Sequence, residues 1–207
     1  MADTPEQPQL YLITPPEFDL LDFPVRLARV LDARAIACLR LSLATRDEDR
    51  IARAADACRE VAHARDVPIV IDSHWMMVAR HGLDGVHLGD GARSVRKIRK
   101  EVGSDPIVGA YCSASRHDGL TAGEAGADYV AFGPVAAGLI GSGEIADAEL
   151  FHWWSEMIEV PVVAEGGLTT ALVDTLRDRT DFFGIGEEIW AAEDPVAALW
   201  DLLAPLA

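Results

Sequence analysis

Side chains able to move protons or bind polar ligands crowd the stretch from Asp72 to Gly89, DSHWMMVARHGLDGVHLG, and Asp90 follows directly. Asp72, Ser73 and His74 follow the apolar run PIVI, and His87 and Asp90 end the next apolar run. A histidine titrates near neutral pH, so His74 beside a carboxylate and a hydroxyl is a candidate acid or base. His117 is a second candidate of that kind, in the segment Tyr111–His117 (YCSASRH) with Tyr111 and Ser113. For each histidine the competing reading is an ordinary surface side chain, and for His87 a hydrogen-bonded core residue. Arg40 interrupts the run CLRL. An arginine there needs a partner: a ligand carboxylate or phosphate held by two parallel hydrogen bonds, or an internal ion pair with Asp72. Glu165-Gly166-Gly167 and Gly186-Glu187-Glu188 follow two further apolar runs. Paired glycines let backbone N–H groups approach a phosphate, whereas Glu187 and Glu188 set like charge beside that place.

These residues recur at one point of a repeating pattern. Apolar runs at Leu10–Ile13, Ala35–Leu41, Pro68–Ile71, Gly85–Leu88, Pro106–Ala110, Asp128–Phe132, Pro161–Ala164 and Phe182–Ile185 read as strands. Segments with helical spacing separate them, at 19–31, 47–65, 75–81, 92–102, 115–125, 147–158 and 169–177, and 195–206 closes the chain. Thr45-Arg46-Asp47-Glu48 reads as a capping box for the second helix. Short apolar strands joined by helical crossovers predict a parallel sheet, and this number of units predicts one (β/α)8 barrel over residues 1–207. Chemistry in that fold sits at the C-terminal strand ends, where the polar residues above fall.

Composition narrows the partners. The chain has 207 residues, with 34 acidic against 18 basic and a formal net charge of −16. Such a surface repels nucleic acid and anionic membranes. The basic helix with Arg93, Arg96, Lys97, Arg99 and Lys100 reads as a solvated outer face. Cys38, Cys58 and Cys112 match no zinc or disulfide spacing, which points to free thiols in a reducing cytoplasm. The N-terminal MADTPEQPQL lacks the pattern of a signal peptide, and no apolar run nears the ~20 residues of a membrane span. A small-molecule ligand and, at most, a second copy in a homodimer are the expected partners.

LYLIT at 10–14, DGVHLG at 84–89, GADYVAFGP at 126–134 and PVVAEGGL at 161–168 resemble the thiamine-phosphate synthase family, which includes the TenI-like thiazole tautomerases. The resemblance runs from about Leu10 to Pro195. YCSASRH and Trp153-Trp154 are similar to a subgroup carrying CHDSRH and a paired tryptophan. The resemblance implies a (β/α)8 barrel that joins a hydroxymethylpyrimidine diphosphate to a thiazole phosphate, using magnesium and releasing pyrophosphate. Several family positions differ here. Cys38-Leu39-Arg40-Leu41-Ser42 stands for Gln-Leu-Arg-x-Lys, so the Arg is present and the Lys is not. Asp72-Ser73-His74 stands for Asn-Asp-Arg, and Ala92 for the second magnesium Asp. Ala136–Gly143 lacks the family's Thr and Lys. Gly186, followed by Glu187, stands where a phosphate-holding Ser is found, and Ser113 stands near the tautomerase histidine. The comparison thus implies magnesium as cofactor while its expected ligands are absent. Asp72 and Asp90, with His74, are the candidate ligands of a relocated metal site. The ligand set expected at the rim is Asp72, Ser73, His87, Tyr111, Ser113, Glu165, Gly166, Gly167, Gly186 and Glu187, with Arg40, His74 and His117 as catalytic candidates. Three activities remain open: a diverged family barrel for a pyrimidine or thiazole ligand, a non-catalytic binding or regulatory paralogue, and a different acid/base enzyme using Asp72, His74, Glu165 and Glu187.

Overall fold

Eight parallel strands close on themselves in chain order, β1 through β8, with β8 pairing back onto β1. The computed structural model describes residues 7–136 and 144–207. The leader reading of the first residues and most of the Ala136–Gly143 reading fall outside them. The strands are β1 (Gln9–Ile13), β2 (Cys38–Leu41), β3 (Ile69–Asp72), β4 (Gly85–Leu88), β5 (Ile107–Tyr111), β6 (Tyr129–Phe132), β7 (Val162–Glu165) and β8 (Phe182–Ile185). The predicted (β/α)8 barrel is therefore the fold. Among the described residues no helix is long and apolar enough to cross a membrane.

Alternation along each strand builds two separate cores. Leu10, Leu12, Leu39, Leu41, Ile69, Ile71, Val86 and Leu88 belong to the layer packed under the helices. Tyr11, Cys38, Val70, Tyr129, Ala131 and Val163 form a second cluster in the lumen. The run PIVI is apolar throughout because it faces both: Ile69, Val70 and Ile71 are all fully buried.

Helices follow each strand: α1 (Phe23–Ala33), α2 (Glu48–His63), α3 (Met76–His81), α4 (Val95–Val102), α5 (Arg116–Glu124), α6 (Ala148–Met157) and α7 (Thr170–Leu176). After β8 come a short α8 (Glu187–Trp190) and α9 (Pro195–Leu202). The sequence reading differs at several ends. The first helix starts at Phe23 rather than Asp19, with Pro24 in its first turn, the position a proline suits. The cap of α2 is Asp47, whose side chain accepts from the N–H groups of Asp49 and Arg50. Thr45 instead accepts from Asp47 N, so the Thr45 capping box is not formed. The short helix α8 takes up Glu187–Trp190, a stretch for which the sequence spacing predicts no helix. Trp154 is buried and donates to Val160 O at 2.7 Å, while Trp153 lies under the Arg116 guanidinium. On α4, Arg96, Lys97 and Lys100 are exposed, and Arg99 ties down Gly126, Gly103, Pro106 and Asp128.

Candidate functional site at the barrel mouth

The lumen carries charge. Arg40 on β2 is buried inside the barrel. Its Nη1 donates to Glu165 Oε2 at 2.8 Å and its Nη2 to Oε1 at 3.1 Å, the two-pronged geometry expected of arginine and carboxylate. Nη1 also lies 2.9 Å from His87 Nε2. A guanidinium only donates, so Nε2 accepts, and the proton of the neutral ring is assigned to Nδ1. That nitrogen lies 2.9 Å from Tyr129 Oη, which lies 2.5 Å from Tyr11 Oη. Tyr11, Tyr129, His87, Arg40 and Glu165 thus form one hydrogen-bonded chain through the lumen. Burial, and then the Arg40 charge, hold the His87 pKa well below the usual histidine range. Burial works against the Arg40 charge, but the carboxylates of Glu165 and Asp72 outweigh it and keep the guanidinium ionised.

Tyr11 and Tyr129 escaped the sequence reading. Their signal was an aromatic at an inward-facing position of LYLIT and of GADYVAFGP, opposite a glycine. A Cβ on Gly109 would stand 2.0 Å from Tyr129 Cζ, so the ring occupies the space a side chain on β5 would need.

Asp72 ends β3. Its Oδ1 is 3.5 Å from Arg40 Nε, an ion pair but no hydrogen bond. The internal pair weighed for Arg40 is therefore present, with Glu165 rather than Asp72 as the closer partner. Arg40 Nε and Asp72 Oδ1 are both buried and lack a hydrogen-bond partner, an expensive arrangement that asks for an explanation. Burial raises the Asp72 pKa, opposed by the Arg40 charge.

Beyond Asp72 the chain turns sharply. Ser73 adopts a left-handed φ of 59°, as does Ser113 at 50° after β5. Such backbone is costly for a residue with a side chain and often collects at ligand sites, though Asp66, away from the mouth, shares it. His74 Nδ1 is 2.7 Å from Asp72 O. A carbonyl only accepts, so Nδ1 carries the hydrogen and Nε2 of the neutral ring is bare, the form a general base requires. Tyr111 donates to Gly133 O at 2.6 Å, tying the end of β5 to the turn after β6, and burial raises its pKa.

Beside the mouth lies a cleft of about 480 Å3 lined by Asp90, Arg93, Tyr111, Ser113, His117 and Asp118 among others. Asp90 Oδ2 accepts from Ser94 Oγ at 2.5 Å. Asp72 thus faces Arg40 and Asp90 faces Ser94. Among the described residues, no three His, Cys, Asp or Glu side chains gather so as to hold a metal ion. Magnesium is commonly held by one or two carboxylates together with waters and ligand phosphates; here Asp72 is engaged by Arg40 and Asp90 by Ser94.

On the opposite side, the turn after β7 and the start of α8 meet. Gly166 and Gly167 have φ of 84° and 85°, a region glycine enters without strain. Their turn presents N–H groups toward β8, and Glu188 fills the space. Its Oε1 accepts from Gly167 N at 3.0 Å and Leu168 N at 3.1 Å, and its Oε2 from Gly186 N at 2.8 Å. Glu187, the residue singled out from the sequence, is exposed. The structure thus brings Arg40, His87, Glu165 and Asp72 into one lumen cluster. It gathers Asp90, Tyr111, Ser113 and His117 around the cleft, and bridges Gly167 and Gly186 through Glu188.

This architecture and sequence have known counterparts. A solved thiamine phosphate pyrophosphorylase from Pyrococcus furiosus superposes with a TM-score of 0.81 at 22% identity, covering 96% of this chain and 95% of that one, a likeness of fold. The chain is 42% identical to a thiamine-phosphate synthase of Rhodospirillum centenum over 93% of this chain and 95% of the relative. It is 36% identical to one from Erythrobacter litoralis over 95% of each. The family model for thiamine monophosphate synthase matches residues 10–183, and on that match together with these relatives the chain belongs to the thiamine-phosphate synthase and TenI family.

Proposed function

We propose that this barrel acts in or near thiamine biosynthesis by binding an unphosphorylated heterocycle, a pyrimidine or thiazole moiety, at its mouth. On this reading it does not carry out magnesium-dependent coupling of a diphosphate. The observation that carries the proposal is the orphaned pair of Asp72 Oδ1 and Arg40 Nε. The two atoms face each other at 3.5 Å, too far for a hydrogen bond, and a ligand edge offering a donor beside an acceptor, as an aminopyrimidine does, would satisfy both on parting them. Three of the guanidinium's four other N–H donors go to Glu165 and His87, and the Glu165 carboxylate offsets its charge, so it brings little free positive charge to a diphosphate. Phosphorylated ligands need cations or oriented N–H groups, and the carboxylates of Asp72, Asp90 and Glu187 oppose them. His74, with Nε2 bare, and His117 at the cleft are the groups placed to move a proton if the ligand reacts.

The test uses the purified full chain. Thiamine phosphate formation is assayed with magnesium, pyrimidine diphosphate and thiazole phosphate. Melting temperatures are measured with the free pyrimidine and thiazole alcohols and with their phosphorylated forms. Stabilisation by a free alcohol with little turnover supports the proposal. Turnover comparable with an active family synthase would sink it, as would a preference for the phosphorylated forms.

A further inference from the structure

We propose that Glu188 is a specificity-determining residue whose carboxylate fills the backbone N–H cradle between the β7 and β8 ends and thereby excludes phosphate monoesters from the rim. Three N–H groups from two separate loops converge on one carboxylate, at 3.0, 3.1 and 2.8 Å. A cradle of this kind binds anions because the N–H dipoles converge, and here the protein supplies the anion itself. The cradle is built rather than incidental. A Cβ on Gly167 would meet Ala136 Cβ at 2.9 Å and one on Gly166 would meet Pro134 Cα at 3.1 Å, so side chains are excluded where the N–H groups turn inward. Glu188 comes from α8, whose first residue, Glu187, points to solvent. A phosphate entering the cradle would have to displace the Glu188 carboxylate and then lie beside it, at a like-charge cost. A neutral hydroxyl on the same ligand has no such conflict. The inference extends the preference for unphosphorylated ligands to a second place on the rim, and rests on that rim being the ligand face.

Inorganic phosphate is the probe. It is titrated against the full-length wild type, Glu188→Ala, Glu188→Gln and Glu187→Gln, following melting temperature and binding heat. The expected result is no saturable binding to the wild type. Glu188→Ala should bind at least about tenfold tighter, the equivalent of 1.4 kcal/mol. Glu188→Gln should gain less, because the amide keeps one acceptor oxygen in the cradle but turns N–H donors against it. If Glu188→Ala does not fold, the gain in Glu188→Gln decides. Folded position-188 variants that bind no phosphate overturn the inference. So does a wild type that binds as well as they do, or an equal gain in Glu187→Gln, which would reduce the effect to net charge. Synthase turnover by the wild type would defeat the proposed function while leaving a phosphate gain at position 188 meaningful. A free alcohol that stabilises the wild type, with no such gain, would do the reverse.

Discussion

Arg40 and Glu165 decide whether the barrel mouth has a cation to offer. Their side chains are 9% and 10% exposed and joined by hydrogen bonds of 2.8 and 3.1 Å. Breaking one member of such a pair leaves an uncompensated buried charge and costs roughly 3–5 kcal/mol. Glu165→Gln keeps the shape and removes the charge, leaving Arg40 with Asp72 at 3.5 Å as its remaining counter-charge. For a domain of this size each kcal/mol is worth about 2–4 °C, so melting should fall by roughly 6–20 °C. Arg40→Met strands Glu165 and should cost a similar amount. Removing both together eliminates the stranded charge, so the double variant should lose much less than the sum. Urea denaturation at pH 7 of wild type, both single variants and the double variant yields the coupling directly. A value of about 2 kcal/mol or more is expected. A coupling below about 0.5 kcal/mol, the level of a surface pair, would mean that the guanidinium is not committed to Glu165. Arg40 would then be available to a ligand phosphate, and the proposed preference would lose its electrostatic basis.

Three further outcomes follow from the same lumen. His87 is held neutral in the fold, its pKa depressed by burial and by Arg40, so below about pH 6.5 the unfolded chain takes up a proton that the native state refuses. Stability should therefore fall as pH drops from about 6.5, with a slope of up to about 1.4 kcal/mol per pH unit. His87→Gln should lose that component, and equal slopes between pH 7 and 5 would refute it. In Gly109→Ala the new Cβ stands 2.0 Å from Tyr129 Cζ, and the ring cannot swing aside without breaking its bonds to His87 and Tyr11. A loss of about 3 kcal/mol, at the upper end for overpacking, is expected in urea melts, and a neutral variant would contradict the lumen geometry. Asp72→Asn removes a carboxylate whose pKa burial has raised despite Arg40. At pH 7 it should be no less stable than wild type, yet lose stabilisation by the free heterocycle that binds the wild type. A large drop in its melting temperature would instead make Asp72 a structural counter-ion.

Much of the barrel was readable because each strand alternates in register with the helices. Leu39 and Leu41 bracket Arg40, and Val86 and Leu88 bracket His87, so the phase of the flanking residues alone turns Arg40 and His87 inward. Types at strand ends do not reveal depth, however: for His87 a core position and for Arg40 an internal ion pair stood beside the rim reading, and Glu165 read as a rim residue, while all three lie in the lumen. The Tyr11–Tyr129 contact joins positions that only barrel closure brings together, with Gly109 as its local trace. At α2, Thr45 and Asp47 both satisfy capping rules, and the helix start at Glu48 gives the cap to Asp47. Adjacent carboxylates were also indistinguishable in sequence. The helical turn after Gly186 sends Glu187 to solvent and Glu188 into the cradle.

The same distinction bears on how resemblance converts to activity. Arg40 stands where the family motif carries an arginine, and by residue type it would count as an anion-binding group. Its geometry gives it other work. Nη1 is taken up by Glu165 and His87, Nη2 donates one of its two hydrogens to Glu165, and Nε faces an orphaned Asp72 oxygen. A guanidinium has a fixed set of donors, so each one committed to the lumen is unavailable to a ligand. The converse holds across the mouth, where Gly166 and Gly167 have the conformations of an anion cradle but Glu188 already occupies it. Residue identity states which chemistry a position could perform, and the occupancy of its hydrogen bonds decides which of those it can still offer a ligand.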